Sequence, residues 1–546
     1  MRLRARISWF AGFTAVFAAL AAYVFWGTWS PDVVPVMPDT TTTYPADQMA
    51  RNFRGLLESG NFIPLDLIGY AGSPYFWQEL RFALALYLAA LGMVYFCRGR
   101  GLSRLASYGA GLSLGFCGYW MTLFSAGHWG WFAWMAHGVF AFGLADRAVR
   151  KGKLRHWLLL GAVVSWAGFN QQDLWLLFTV FTAAYFIWCC IRERTFPWKG
   201  MLVSAAVFAL VGLPNVKATL NGALKGREEQ IAMGENITQK NASEADKRWE
   251  FVTNWSMPPE DTLEFLFPRV HGDTSCPFVL SINGRQGVTP YTGALGRPLN
   301  AKQGNYRQHS LYVGWSTCLF AFLAIVLAFV TFRKSDNQTI RQSNNPDLFF
   351  FLAAAILFYL LSLGRYFEPA YRVVFSLPFG DLIRCPVKWH HLTEFCLVVL
   401  AAFGVEAVVG RLERVERVGR FAPVIVGSLI LLGVVCLASN DRLYCAPVSV
   451  KEARRTNSSM QMTILPRQQF QNPQVAAMVQ AGRIVSIANY LGNPDYFVVG
   501  VLDRFQPRKN NEIPALTVLF GLLSWLTTLG VTIYSILVAV RPRNVV

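Results

Sequence analysis

The feature that most constrains this chain is the recurrence of apolar runs long enough to cross a bilayer. Residues 7–26, ISWFAGFTAVFAALAAYVFW, carry no charge, and about 20 such residues span a hydrocarbon core of about 30 Å. Water cannot satisfy backbone N–H and C=O groups inside that core, so each run must close its own hydrogen bonds as a helix. Comparable runs follow at 82–97, 105–125, 129–145, 157–170, 173–191, 200–216, 311–332, 348–363, 389–410, 421–438 and 514–540. By span length, the expected fold class is an all-α polytopic membrane protein with about twelve transmembrane helices. With 53% hydrophobic and 15% charged residues, the chain falls far below the charge content of about 25% usual in soluble domains.

Basic residues set the expected orientation. If the N-terminus is cytoplasmic, the inner connections hold Arg98/Arg100/Arg104, Arg147/Arg150/Lys151/Lys153/Arg155, Arg192/Arg194/Lys199, Arg333/Lys334/Arg341, Arg411/Arg414/Arg417/Arg420 and Arg541/Arg543. Every inner segment is then basic, as the positive-inside rule requires. Arg2, Arg4 and Arg6 precede a first span with no small-residue cleavage site, which reads as a retained signal anchor. The net charge of +18 follows from these short loops and predicts contact with anionic membrane lipids rather than nucleic acid.

The same orientation divides the chain into an N-terminal transmembrane region, 1–216, with an acidic first outer loop at 27–80; a large outer loop, 217–310; a C-terminal transmembrane region, 311–438; an outer subdomain, 439–512; and a last transmembrane helix with a cytoplasmic tail, 513–546. Segment 44–58 places Met49, Phe53, Leu56 and Leu57 on one helical face and Asp47, Arg51, Arg54 and Glu58 on the other, predicting an interfacial amphipathic helix. In the second loop, Pro258-Pro259-Glu260-Asp261 marks a helix start with acids in its first turn, where the chain returns toward the membrane. In the third, 473–483 reads as helical and 484–491 as strand. No Walker loop or GxGxxG occurs, so ATP-driven transport lacks its usual markers. Cys276, Cys385 and Cys445 are the cysteines outside the spans, an odd number without CxxC, which defines no metal or disulfide framework.

The candidates for chemistry gather on the outer face. Asp32 and Asp39 lie just beyond the first span, where a loop acid is either solvated or held for catalysis. His128, in the tight SAGHWGW turn, is placed to ligate a metal, donate to phosphate or act as a base, or else to sit among interfacial tryptophans. Asp173 lies in the next outer turn. Between the ninth and tenth spans stand Arg365, Arg372, Asp381, Arg384, Lys388, His390, His391 and Glu394. Glu394 begins an apolar span, so its charge needs a partner or a polar cavity. Arg384 and Lys388, one turn apart if helical, would clamp a phosphate, the first as a bidentate fork and the second as a point charge. Headgroup anchoring is the competing reading of that pair.

With these residues in view, the chain resembles the YfhO-like family of bacterial membrane proteins, within the wider GT-C type of multispanning glycosyltransferases. The resemblance rests on Asp39 with the following Tyr44, the element from Gly60 to Pro74 ending in Gly-Ser-Pro, Gly127-His128, the stretch from Pro259 to Gly272, Tyr312 with Gly314, and Leu377-Pro378 with Arg384 and Pro386. These occur in order through residues 1–410. The resemblance implies a GT-C-like fold in the bacterial cytoplasmic membrane and transfer of sugar from a polyprenyl-phosphate donor to an envelope glycopolymer, lipid or protein. It further implies Asp39 as the catalytic acid, with His128 and Arg384 at matching motif positions. Tyr44, Asp173, His391, Glu394 and Lys388 complete the expected substrate-binding set. Gly127-His128-Trp129 stands where the family has an acidic pair, so a divalent metal is an open expectation. A transporter or flippase of lipid-linked intermediates, and a non-catalytic envelope-assembly scaffold, are the alternative classes. A transporter would show internal repeats and broken helices with intramembrane polar residues.

Overall fold

The computed structural model describes residues 2–25, 33–35, 74–121, 131–166, 172–212, 243–253, 255–268, 310–334, 346–377, 380–415, 419–441, 447–449, 458–466, 473, 484–490 and 493–504. The bundle comprises α1 (Arg2–Val24), α2 (Pro74–Gly99), α3 (Arg104–Gly115), α4 (Gly118–Met121), α5 (Trp131–Lys151), α6 (Leu154–Trp166), α7 (Gln172–Arg192) and α8 (Trp198–Gly212). After α9 (Glu244–Val252) it continues with α10 (Trp315–Lys334), α11 (Pro346–Ser362), α12 (Glu368–Ser376), α13 (His390–Leu412) and α14 (Ala422–Asp441). Among the described residues, five helical segments are long and apolar enough to cross a membrane: Ile7–Val24, Leu80–Gly99, Leu174–Arg192, Pro386–Leu412 and Gly419–Asp441. Pro346–Ser362 with Gly364–Ser376 meets the same test only as a pair bent by 113°. Leu154–Ser165, Trp198–Gly212 and Trp315–Val330 are apolar but shorter. The predicted last span, 514–540, lies outside the described residues.

Two spans form the centre. Leu80–Gly99 is 83% buried and Pro386–Leu412 72%, against 28–39% for the other three, so the latter present most of their apolar surface outward, as lipid-facing helices do. Helix α13 packs on α10, α11 and α3, and α2 packs on α3 and α5. Close approach depends on a small residue at the α10–α13 crossing, where a Cβ on Gly404 would strike the Phe320 carbonyl. An aromatic layer of Phe142, Phe178, Phe181, Tyr185, Phe351 and Phe395 fills the middle. Within it, Phe142 lies 4.9 Å from Phe181 and 4.6 Å from Phe395 between ring centroids.

Two departures from straight spans have local causes. The run 105–125 is not continuous: α3 ends at Gly115 and α4 restarts at Gly118. The Gly118 N–H donates to the Tyr312 carbonyl at 2.9 Å, and a Cβ there would lie 2.8 Å from both that oxygen and Ser310 Oγ. The extended segment before α10 therefore occupies the break. The run 348–363 turns sharply into α12 through Gly364, whose φ of +52° suits glycine and whose missing Cβ makes room for Ser256 and Pro386.

At the end carrying the basic connections, Arg100 and Arg192 are shared between two buried carboxylates. Asp146 lies 2.9 Å from each, and Asp347 lies 2.5 Å from each. Arg150 adds a third pairing to Asp146, and Trp188 Nε1 donates to Asp347 at 2.9 Å. This joins the ends of α2, α5, α7 and α11 and places four of the predicted inner connections on one side. Glu406, at the same end, accepts the Ser103 N–H at 2.8 Å, beside the start of α3, where a carboxylate suits the helix dipole.

At the opposite end the long stretches converge. Strand β1 (Val33–Pro35), after the first span, pairs antiparallel with β2 (Pro447–Ser449) of the third stretch. The third stretch also holds an antiparallel sheet of β3 (Ser458–Pro466), β4 (Ile484–Tyr490) and β5 (Asn493–Arg504), in the order β3-β5-β4. β4 coincides with the expected strand at 484–491. The second stretch docks on the connection before α13: Cys385 N–H donates to Val252 O at 3.0 Å and Val387 N–H to Trp255 O at 3.1 Å. Arg365 donates to Thr253 O, Thr253 Oγ1 and Glu250 O at 3.0–3.1 Å.

Candidate functional site

The N-terminus of α13 enters the bundle with a cluster of polar groups that its own sequence, KWHHLTE, supplies. At one residue per 100° of helix, His390 and Glu394 share a face, and His391 lies beside them. All three are fully buried. Tyr119, from the short α4, donates its backbone N–H to Glu394 Oε1 at 3.2 Å. That N–H is available because it belongs to the first turn of a helix newly begun after a break. His390 Nε2 lies 3.4 Å from the same oxygen, so the partner demanded for a carboxylate at the head of an apolar span is an imidazole one turn away.

Aromatic surfaces wall the cluster. The His391 ring stacks on Tyr119 at 4.1 Å and meets Trp120 edge-on at 6.0 Å. Phe265, at the end of the 3₁₀ turn Pro259–Phe265, packs on His390 at 4.5 Å. That turn begins where the Pro-Pro-Glu-Asp signature predicted, with proline in its first turn and Glu260 and Asp261 following. Asp441, fully buried at the end of α14, adds a second carboxylate to this end of the bundle, and its neighbour Asn440 donates to Ser310 Oγ at 3.1 Å.

Two groups stand out for what they lack. Glu394 Oε2 and both ring nitrogens of His390 make no hydrogen bond among the described residues, although a buried polar atom without one is costly and uncommon. A carboxylate and an imidazole within ionic reach, screened from water, can exchange a proton with a hydroxyl brought between them. Among the described residues, no group of three or more His, Cys, Asp and Glu side chains is arranged to hold a metal ion.

Of the residues expected from sequence, Lys388, His391 and Glu394 come together here, with Lys388 buried in the turn Pro386–Trp389. Arg384 does not join them on a helical turn. Cys385, with φ of +63°, interrupts the chain between the two basic residues, and the exposed Arg384 guanidinium lies over Phe251 and Trp255, 5.7 and 6.0 Å from the ring centroids. The helical spacing that would set Arg384 and Lys388 one turn apart is therefore not present. Asp32, Asp39, Tyr44 and His128 lie outside the described residues, as does the amphipathic segment 44–58. Asp173 falls in the first turn of α7. Tyr119 and Asp441 are not among the candidates read from sequence, and His390 stands there only as a member of the connection before the tenth span. Their sequence signals are a histidine doublet, a Gly-Tyr-Trp restart after Gly115, and an acid closing an apolar run.

Fold and cluster together define a multispanning helical membrane protein with a buried carboxylate and imidazole at the end where its long stretches meet. No known protein family, no curated protein and no solved structure matches the chain.

Proposed function

We propose that the protein is a membrane glycosyltransferase of GT-C type, moving a sugar from a polyprenyl-phosphate donor to an envelope glycopolymer, lipid or protein. In this reading it has about twelve spans by length, sits in the bacterial cytoplasmic membrane with both termini cytoplasmic, and works on the outer face. The observation that supports it most is Glu394: fully buried, with one oxygen held by Tyr119 and His390 and the other without a hydrogen bond among the described residues. The ordered motifs from Asp39 to Pro386 add to it. Asp39 takes the acceptor hydroxyl's proton, the freed oxygen bonds to the anomeric carbon, and the bond from that carbon to the donor phosphate breaks, releasing polyprenyl phosphate. Glu394 and His390 hold the acceptor or the departing phosphate group from the bundle side.

A second reading, a flippase of lipid-linked intermediates, is favoured by the broken run at Phe116-Cys117, by the 113° bent pair, and by ionisable groups buried within a span. The deciding experiment uses wild type, Asp39→Asn and Glu394→Gln in vesicles. It measures transfer from radiolabelled polyprenyl-phosphate sugars to envelope extract, with and without divalent metal, alongside movement of the same lipid between leaflets. Transfer lost in Asp39→Asn supports the enzyme. Lipid movement without any transfer by wild type supports the flippase.

A further inference from the structure

A second surface at the same end of the bundle points outward. The 3₁₀ turn Pro259–Phe265 and its following residues divide their side chains sharply: Asp261, Glu264 and Phe265 are buried, whereas Leu263, Leu266 and Phe267 are 53%, 41% and 60% exposed. Three large apolar groups in five residues would be an unusual thing to leave in water.

Two hydrogen bonds fix the depth at which this segment sits. Thr262 Oγ1 and the Tyr359 hydroxyl are 2.9 Å apart, about one helical turn along α11 from the exposed Ile356. Cys318 Sγ donates to the Phe265 carbonyl at 3.6 Å, one turn along α10 from Phe322, itself 61% exposed. Those outward faces belong to apolar helices of the bundle and are the ones such helices turn to lipid. The outward face of the turn is thus level and continuous with the apolar surface of α10 and α11.

We infer that Leu263, Leu266 and Phe267 are immersed in the bilayer at the boundary of headgroups and acyl chains, making the turn Pro259–Phe265 the wall between lipid and the buried His390–Glu394 cluster. The occupant of this surface is phospholipid. The backbone suits that depth, because the Leu266 and Phe267 N–H groups both donate to the Leu263 carbonyl, at 3.2 and 3.0 Å, leaving fewer groups in want of water. On the inner side, the Phe265 ring touches both the His390 imidazole and the Tyr359 ring, at 4.5 and 6.2 Å. A lipid headgroup approaching from the membrane plane would therefore meet this turn before the cluster. The inference goes beyond the proposed activity and holds for an enzyme or a flippase alike.

The test uses the full-length wild-type protein in vesicles of phosphatidylglycerol and phosphatidylethanolamine doped with a phospholipid bearing a diazirine in its upper acyl chain. After photolysis, adducts are mapped by mass spectrometry. The expected result is labelling of 263–267 within about threefold of that at Phe322 and at Ile356–Leu357, as an interfacial segment requires. Labelling of those two helix positions with adducts at 263–267 lower by about tenfold or more overturns the inference, since the helix positions report proper insertion in the same sample. Replacing Leu263 and Phe267 together by Ser should leave labelling at Phe322 unchanged. A protein–protein cross-link through 263–267 in place of lipid adducts would also overturn it, assigning the surface to a second copy of the chain.

Discussion

The two ends of the bundle bury charge in opposite ways. At the basic end, Asp146 and Asp347 are fully enclosed, and each is matched by both Arg100 and Arg192 at 2.5–2.9 Å. At the other end, Glu394 is equally enclosed, yet its partners are one imidazole at 3.4 Å, one backbone N–H and the Cys117 thiol, with no guanidinium among them. The first arrangement ties four helix ends together, and each of its carboxylates has two guanidinium partners. The second sets its carboxylate against neutral or weakly basic groups. A buried carboxylate without a guanidinium partner is where natural proteins most often place a ligand or a reaction, and the proposed function takes the Glu394 end for that reason.

That contrast can be broken by substitution. The largest effect is expected at the basic end: Asp347→Ala leaves two guanidinium groups buried without their second carboxylate and should destabilise the protein by about 3–5 kcal/mol. Thermal unfolding in detergent reads this directly, and a change near zero would mean that water already reaches the cluster. Glu394→Gln should do the reverse, changing stability by under about 1 kcal/mol while lowering the proposed sugar transfer by about 10²-fold or more. Should the same substitution unfold the protein, the far-end carboxylate is part of the clasp after all. Between these, Gly404→Ala forces a methyl group against the Phe320 carbonyl and should cost about 1–3 kcal/mol through separation of α10 and α13. It tests whether the central helix must stay close-packed for either end to hold. The smallest expected effect sharpens the role of Glu406: Ser103→Ala removes the side chain that accepts the Ala106 N–H at 3.3 Å, for a loss of about 1 kcal/mol. Combined with Glu406→Gln, the two losses should fall short of additive, because both act at the start of α3.

Helix positions were legible because the apolar period and length of each run are physical requirements of a membrane. The runs at 7–26, 82–97 and 173–191 coincide with long helices for that reason. Breaks were not legible. Nothing local in LSLGFCGYW announces a stop, because its cause is the Tyr312 carbonyl, nearly two hundred residues later in the chain. The same limit explains the site. Glu394 could be selected from its position alone, since a carboxylate at the head of an apolar span must be partnered, whereas Tyr119 contributes a backbone N–H that no side-chain pattern encodes. Arg384 and Lys388 looked like a pair under helical spacing, and the left-handed Cys385 removed the premise. The acid loop after the first span, with Asp32, Asp39, Tyr44, and also His128 in its own turn, lies outside the described residues, and its role rests on the sequence.

The extended segment Ser310–Val313 sits in the gap between α3 and α4 and is also the tail of the second long stretch. It therefore works as a mechanical linkage. One residue of that tail grips Gly118, and the very next residue, Tyr119, presents its N–H to Glu394. A pull on the stretch, from a bound chain or a shift in the membrane-side wall, would be delivered within a single peptide unit to the hydrogen bond that steadies the buried carboxylate.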